Sequence, residues 1–459
     1  MDLRDWLSQA VSSVQSWQSE YPPFETHPAL RISDERFAAA FGEFAERMRG
    51  NYPYFHPLYA GQMLKPPHPA AVAGYVAAML VNPNNHALDG GKVTSEMEKE
   101  VVAGLAGMFG LQAHLGHLTS SGTIANLEAL YVARELHPDR GVAYSADAHY
   151  THARMCSVLR MAATSVSTDA AGRIDLDALD DLLAGGTIGT VVATAGTTGL
   201  GAIDQVHDVL AVARRHGVRV HVDAAYGGFF TLLAGADGRA GLEPAPWRAI
   251  ASCDSVVVDP HKHGLQPYGC GCVLFRDPNV GSLYKHDSPY TYFSSAELHL
   301  GEISLECSRP GASASALWAT QKLLPLVKRG EFSQLLERSR SAALALYEKI
   351  KGDGRFVPAF APELDIVVFA PRAGSVSEMS AKSRTIFATA AERGLHLAVA
   401  ELPVTFFSSL EPNVRRDRET LTCLRSVLMK PEHLDWIDRI WQILGSAADA
   451  SQMPKSASL

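Results

Sequence analysis

Two short apolar runs each end in an acid. Val218–Val222 (VRVHV) runs into Asp223, and Ser255–Val258 (SVVV) runs into Asp259, with Lys262 three residues further on. The second run is continuously apolar, as a strand buried on both faces should be, while the first carries Arg219 and His221 between its valines. Both read as strands. A buried parallel strand delivers the residues at its carboxyl end into a crevice, the usual ligand site of open α/β sheets. Asp223 and Lys262 are therefore expected to face one small molecule. A lysine on a turn after such a strand loses solvation and becomes a nucleophilic amine suited to imine formation with a carbonyl. A carboxylate at the neighbouring strand end can keep a heterocyclic nitrogen protonated. Taken singly, Asp223 is equally well a turn former and Lys262 a solvated loop charge; the pair with its flanks says more.

An imine-forming amine and an acid for a ring nitrogen are together the protein's share of pyridoxal phosphate chemistry. HVDAAYGGF followed by DPHKHG resembles the active-site core of the group II pyridoxal phosphate-dependent amino-acid decarboxylases, the family of glutamate, tyrosine and aromatic amino-acid decarboxylases. The resemblance covers most of the chain and is strongest from about Ser95 to Ser313. It implies that Lys262 carries the cofactor imine, Asp223 binds the pyridine nitrogen and Ala225 packs on the ring, with His261 in the same site. It also implies a fold-type I enzyme, working as a homodimer with shared active sites.

The elements that must position these residues follow in order. SEMEKEVVAGLAGMFG has helical spacing and a stop at Gly110. HLGHLTSSGTIANLEALYVARELHP reads as strand, small-residue turn and helix, placing Ser121, Gly122 and Thr123 at a helix amino terminus, where free N–H groups bind a phosphate. A ligand-free capping turn is the alternative; the neighbouring Lys262 motif favours phosphate, and the resemblance gives Ser121 and Thr123 that role. GVAYSADAHYTHARM repeats the pattern with Val142–Ser145 as strand, and the resemblance stacks His149 on the cofactor ring. IGTVVATAGTTGLG is a buried strand entering a glycine-rich turn that is neither a GxGxxG nor a P-loop; the resemblance puts Thr198 near the ring's phenolic oxygen. Val206, Val209, Leu210 and Ala213 form a helical stripe stopping at Gly217. Repeated strand and helix predict an α/β fold, a mainly parallel sheet with helices on both faces. The histidine pairs 149/152, 114/117 and 261/263 lack a cysteine or carboxylate ligand set, so no metal is expected.

The boundaries expected are an amino-terminal arm over 1–92 that wraps a dimer partner, a large cofactor-binding domain over 93–328, a small α+β domain over 329–446 and a loose tail over 447–459. Leu3–Trp17 is a predicted helix; the Pro- and Tyr-rich stretches beyond it are not. The resemblance places Tyr54, Tyr59, Asn84, Asn85 and His86 near substrate, against plain packing as the alternative. Tyr290 and Tyr292 lie in a polar, aromatic loop that is a candidate lid. Arg309 and Arg425 suit a phosphate or carboxylate contact or a structural ion pair. In the last domain, 330–350 and 377–394 read as helices, and 364–371 and 423–430 as strands.

The 459 residues are 47% hydrophobic and 20% charged, enough for a large core. The net charge of −8 comes without a basic run and argues against nucleic acid or an anionic membrane as partner. No apolar stretch is long enough to span a bilayer, the amino terminus is unlike a signal peptide, and six cysteines without framework spacing suit the cytoplasm. The expected reaction is decarboxylation of an L-amino acid to its amine and carbon dioxide, with a slight lean to aromatic substrates from the tyrosine-rich arm. The alternatives are a carbon–carbon lyase of the sphingosine phosphate lyase kind, suggested by SRPGA and WATQ, and a cofactor-binding homologue without catalysis.

Overall fold

The computed structural model describes residues 2–284 and 303–451. Four helices come first, α1 (Leu3–Gln18), α2 (Asp34–Met48), α3 (Pro69–Val81) and α4 (Leu88–Phe109). Strands and helices then alternate as β1 (Leu115–Thr119), α5 (Gly122–Leu136), β2 (Gly141–Ser145), α6 (Thr151–Leu159), β3 (Ala163–Val166), α7 (Leu176–Ala184), β4 (Ile188–Thr194), α8 (Val206–Arg215), β5 (Arg219–Asp223), α9 (Pro244–Ala249), β6 (Ser255–Val258) and β7 (Gly271–Phe275). The seven strands form one sheet in the order β1-β7-β6-β5-β4-β2-β3. It is parallel from β3 through β6, while β7 turns back antiparallel to β6 and β1 is antiparallel to β7.

The periodicities explain the layers. Every residue of β4 and of β6 is buried, as the apolar runs require of strands covered on both faces. On α4 the buried Val101, Val102, Leu105, Ala106 and Phe109 make the stripe that faces the sheet, and the helix stops at Gly110 with φ of 78°, a left-handed cap. His221, the polar interruption in β5, is buried but satisfied: Nδ1 lies 2.8 Å from Ser255 Oγ on β6 and Nε2 2.8 Å from Asn126 Oδ1 on α5. Burial lowers its pKa to about 3, so a neutral ring ties two strands to the helix over them.

After α10 (Gly311–Leu323) and α11 (Glu331–Lys351) comes a small α+β domain. Its strands β8 (Phe356–Pro358), β9 (Ile366–Pro371), β10 (Ala398–Pro403) and β11 (Thr420–Val427) pair antiparallel in the order β10-β11-β9-β8. Helix α12 (Val376–Glu392) packs on β9, β10 and β11, and α13 (His433–Ala450) packs on α11 and α12. A loose tail from residue 447 is corrected at its start: α13 continues to Ala450 because Ala447 and Ala448 are buried on its inner face.

The amino-terminal segment holds more regular structure than its composition suggested. α1 packs on α3, whereas α2 buries no residue at all and presents Phe37, Phe41, Phe44 and Met48 along one exposed face. Among the described residues no helix is long and apolar enough to cross a membrane.

Candidate active site

The carboxyl ends of β4, β5 and β6 deliver Thr194, Asp223 and Asp259 to one cavity of about 220 Å³. The turn after β6 adds His261 and Lys262, the turn after β2 adds His149, and the start of α5 adds Ser121, Gly122 and Thr123. Thr198 and Ala225 complete the wall. All nine cofactor-site residues expected from sequence thus line a single cavity. Asn126, Tyr150, Thr151, Thr194, Tyr226 and Asp259 line it as well, unforeseen.

At one end Asp223 is held from two sides. His152 Nε2 lies 2.9 Å from its Oδ2, and the Ala225 N–H donates to Oδ1 at 3.1 Å. Burial alone would push this carboxyl up, but the hydrogen bond and charge of His152, with help from Lys262 and the Ala225 N–H, hold it well below the usual carboxylate range. Asp223 is a fixed negative charge. His152 sits on the first turn of α6, wholly buried; the sequence marks it only as half of a histidine pair. Its spacing from His149 was the available signal.

His149 accepts the Thr151 N–H at Nδ1 over 3.2 Å, which leaves its proton on Nε2. Burial lowers its pKa, so the ring is neutral and donates through Nε2. Lys262 Nζ stands 3.0 Å from Asp259 Oδ2, one fifth exposed. Gly122 allows this carboxylate to approach α5: a Cβ at Gly122 would come within 2.5 Å of Asp259 Oδ2.

The opposite end is the helix start. Ser121 caps α5 by accepting the Ile124 N–H, which leaves the N–H groups of Gly122 and Thr123 without an intrahelical acceptor. Around the same cavity Thr151 Oγ1, Thr194 Oγ1, Asp259 Oδ1 and His261 Nδ1 are buried with no hydrogen-bond partner among the described residues. Unsatisfied buried polar atoms are costly. So many around one void mark a polar ligand's seat. An anion fits the helix start, an aldehyde fits Lys262 and a basic ring nitrogen fits Asp223, and pyridoxal phosphate carries all three groups.

The substrate candidates are spread more widely. Asn85 and Arg309 meet each other instead of the cavity: Asn85 Nδ2 donates to Glu98 Oε2 at 2.6 Å, and Arg309 pairs with Glu98 and donates to the Leu118 carbonyl at 2.8 Å. For both, contact with phosphate or substrate is corrected to a buried structural network, because Glu98 needs their donors. Tyr59 is buried in an aromatic cluster with Tyr52, Tyr54 and His396, its carbonyl accepting Lys430 Nζ at 2.8 Å. It does not line the cavity. Asn84 is engaged with Ser308 and Arg309, and His86 Nδ1 lies 3.2 Å from the Cys307 carbonyl. Arg425 donates to the carbonyls of Gly61, Thr198 and Gly199, fixing the turn that presents Thr198. Tyr290 and Tyr292 lie outside the described residues.

Comparison with known proteins agrees with this chemistry. Residues 50–372, well over half the chain, match the family described as "Pyridoxal-dependent decarboxylase conserved domain". A probable L-tyrosine/L-aspartate decarboxylase of Methanopyrus kandleri is 30% identical over 67% of this chain and 80% of that relative. An L-tyrosine decarboxylase of Enterococcus faecium is 27% identical over 73% of this chain and 72% of that one. In three dimensions, a crystal structure of Oryza sativa TDC with PLP and tryptamine superposes with a TM-score of 0.78 over 98% of both chains at 18% identity, a likeness of fold. With a cavity that suits the cofactor and a family match along most of its length, the chain belongs to the pyridoxal-dependent decarboxylases and is a pyridoxal phosphate-dependent carboxy-lyase acting on amino acids.

Proposed function

We propose that this enzyme decarboxylates an aromatic L-amino acid, with Lys262 as the amine that holds the cofactor and Asp223 as its ring partner. When bound, pyridoxal phosphate supplies an electron sink for the pair released at the α-carbon. The chain's own residues do the rest. Asp223, fixed by His152 and the Ala225 N–H, keeps a proton on the ring nitrogen; its place in one cavity with Lys262 is the observation that carries this reading. Ser121, Gly122 and Thr123 bind phosphate through the α5 start, and Thr198, Ala225 and His261 orient the ring. His149, neutral with its proton on Nε2, shields one side of the cavity from water and can supply a proton there.

The choice of substrate rests on charge. Among the described lining residues the acids Asp223 and Asp259 face one lysine and no arginine, a balance that favours a substrate without a second, side-chain carboxylate. A tyrosine-like substrate fits this balance better than aspartate. The names of the relatives above include both.

A homodimer is part of the proposal. Phe37, Phe41 and Phe44 of α2 are more than half exposed, and an apolar groove between α3, α4 and α10 is lined by Trp17, Val81, Met97 and Trp318. A face and a groove of this size call for a partner, which a second copy supplies. The six unpaired cysteines are in keeping with a cytoplasmic setting.

The test is to give the purified protein and cofactor a panel of L-amino acids, identify the products, and map the peptide labelled after borohydride reduction. Amine and carbon dioxide from tyrosine or a related aromatic, with the adduct on Lys262, is the expected result. An aldehyde as main product would establish carbon–carbon cleavage instead. Turnover of aspartate alone would overturn the substrate, and sedimentation as a monomer the dimer.

A further inference from the structure

Asp365, at the entry to β9 in the small domain, is completely buried and does not line the cavity. Its Oδ1 accepts the Tyr226 hydroxyl at 2.5 Å, and its Oδ2 lies 3.2 Å from His263 Nε2, close enough for a charge pair but not aligned as a hydrogen bond. Tyr226 lines the cavity, and His263 directly follows Lys262. The His263 ring is gripped edge-on between Tyr226 and Phe230, with centroids 4.9 and 4.8 Å away. One carboxylate from the small domain therefore touches both large-domain segments that frame the amine.

The surrounding contacts tighten the same junction. A Cβ at Gly196 would lie 2.9 Å from Leu364 Cδ1 and one at Gly227 3.0 Å, so the residue before Asp365 is pressed on the turns after β4 and β5. Burial would push the Asp365 carboxyl up, but His263, Tyr226 and Lys65 together keep it below its ordinary value, and the Arg425 guanidinium faces it too. Burying an ionised carboxylate is costly. The carboxylate lies against His263, the residue that directly follows the amine.

We propose that Asp365 is a positioning residue, which from the small domain clamps Tyr226 and His263 and so sets the geometry and charge environment of Lys262. This rests on the reading of Lys262 as the cofactor-bearing amine.

The test compares holoenzymes of wild type, Asp365→Asn and His263→Phe. Asparagine keeps the size and removes the charge; phenylalanine keeps the ring between Tyr226 and Phe230 and removes the nitrogen. Three quantities are read: the pH titration of the cofactor absorbance bands, kcat and KM separately, and the borohydride label on residue 262. Both variants are expected to move the titration midpoint by about half a pH unit or more, downward for Asp365→Asn because a lost negative charge disfavours the protonated form. Both should lower kcat about tenfold while KM stays within about twofold. Folded variants that titrate and turn over like wild type would make the clamp merely structural and overturn the proposal. If Asp365→Asn does not fold, His263→Phe decides by the same two outcomes. A wild type without label on Lys262 would sink the reading of the amine, and the clamp with it; a labelled wild type beside unmoved variants would sink the clamp alone.

Discussion

Two regions of the large sheet each bury a histidine against a carboxylate at almost the same distance. On β1 and α5, His117 Nε2 meets Glu128 Oε2 at 2.8 Å; on α6 and β5, His152 Nε2 meets Asp223 Oδ2 at 2.9 Å. Both carboxylate oxygens of Glu128 and both ring nitrogens of His117 have partners. His117 Nδ1 reaches the Leu118 carbonyl at 2.9 Å, and Glu128 Oε1 takes the Leu305 N–H at 3.3 Å and Ser304 Oγ at 3.4 Å. Both His117 nitrogens face acceptors, an arrangement that favours the protonated ring. Burial works against this, but the Glu128 charge and hydrogen bond raise its pKa. Around Asp223 the bonding is left open: among the described residues His152 Nδ1 has no partner, and the carboxylate faces a cavity. The lesson is that a buried pair does not mark a site. Unfilled bonding positions that line a cavity beside it do.

The contrast can be broken most severely at Lys262, where Lys262→Ala should cost on the order of 10⁴-fold in turnover and abolish the borohydride-trapped adduct. Asp223→Asn keeps the shape but not the charge, and should lower kcat about 10³-fold while binding cofactor measurably in an absorbance titration. A milder loss is expected of His152→Asn, about tenfold in kcat, since Asp223 keeps the Ala225 N–H. At the other pair the effect changes kind. Glu128→Gln should lower unfolding free energy by about 2 kcal/mol in a denaturant titration yet leave kcat per folded molecule within about twofold; a large kcat loss would erase the distinction drawn here. The smallest effect is in the pH dependence. Because the folded pKa of His117 is raised, its stabilisation is complete below the ordinary histidine value and fades as pH rises through the folded one. The melting-temperature gap between wild type and His117→Asn should therefore be wider at about pH 6 than at about pH 9.

Much of the site was legible because its residues sit where local signals are strong. SVVV, continuously apolar, reads as a buried strand, and His261 and Lys262 at its exit follow from that, whereas the role of Asp259 beside Lys262 did not. Ser121 to Thr123 were legible for the same reason, a small-residue turn between a strand and a long helix. What could not be read depends on partners remote in sequence. His152 reaches Asp223 across 71 residues, Tyr226 reaches Asp365 across 139, and Arg309 reaches Glu98 across 211. Arg309 stands before a glycine and a helix, equally suitable for an anion or for an internal acid, and only the buried Glu98 decides. α2 illustrates another limit. Its phenylalanines have helical spacing, but they face no core among the described residues, and the flanking Pro- and Tyr-rich stretches overshadow them.

The return of β7 alongside β6 has a consequence for heat inactivation. The loop bearing Lys262 is not a crossover leading to a distant strand; both of its ends are stitched into adjacent ladders, Val257 opposite Val273 and Val258 opposite Cys272. Little slack can therefore develop around the amine before the sheet itself comes apart. Loss of activity on warming should coincide with cooperative melting of the sheet, and amide exchange along this hairpin should be among the slowest in the molecule.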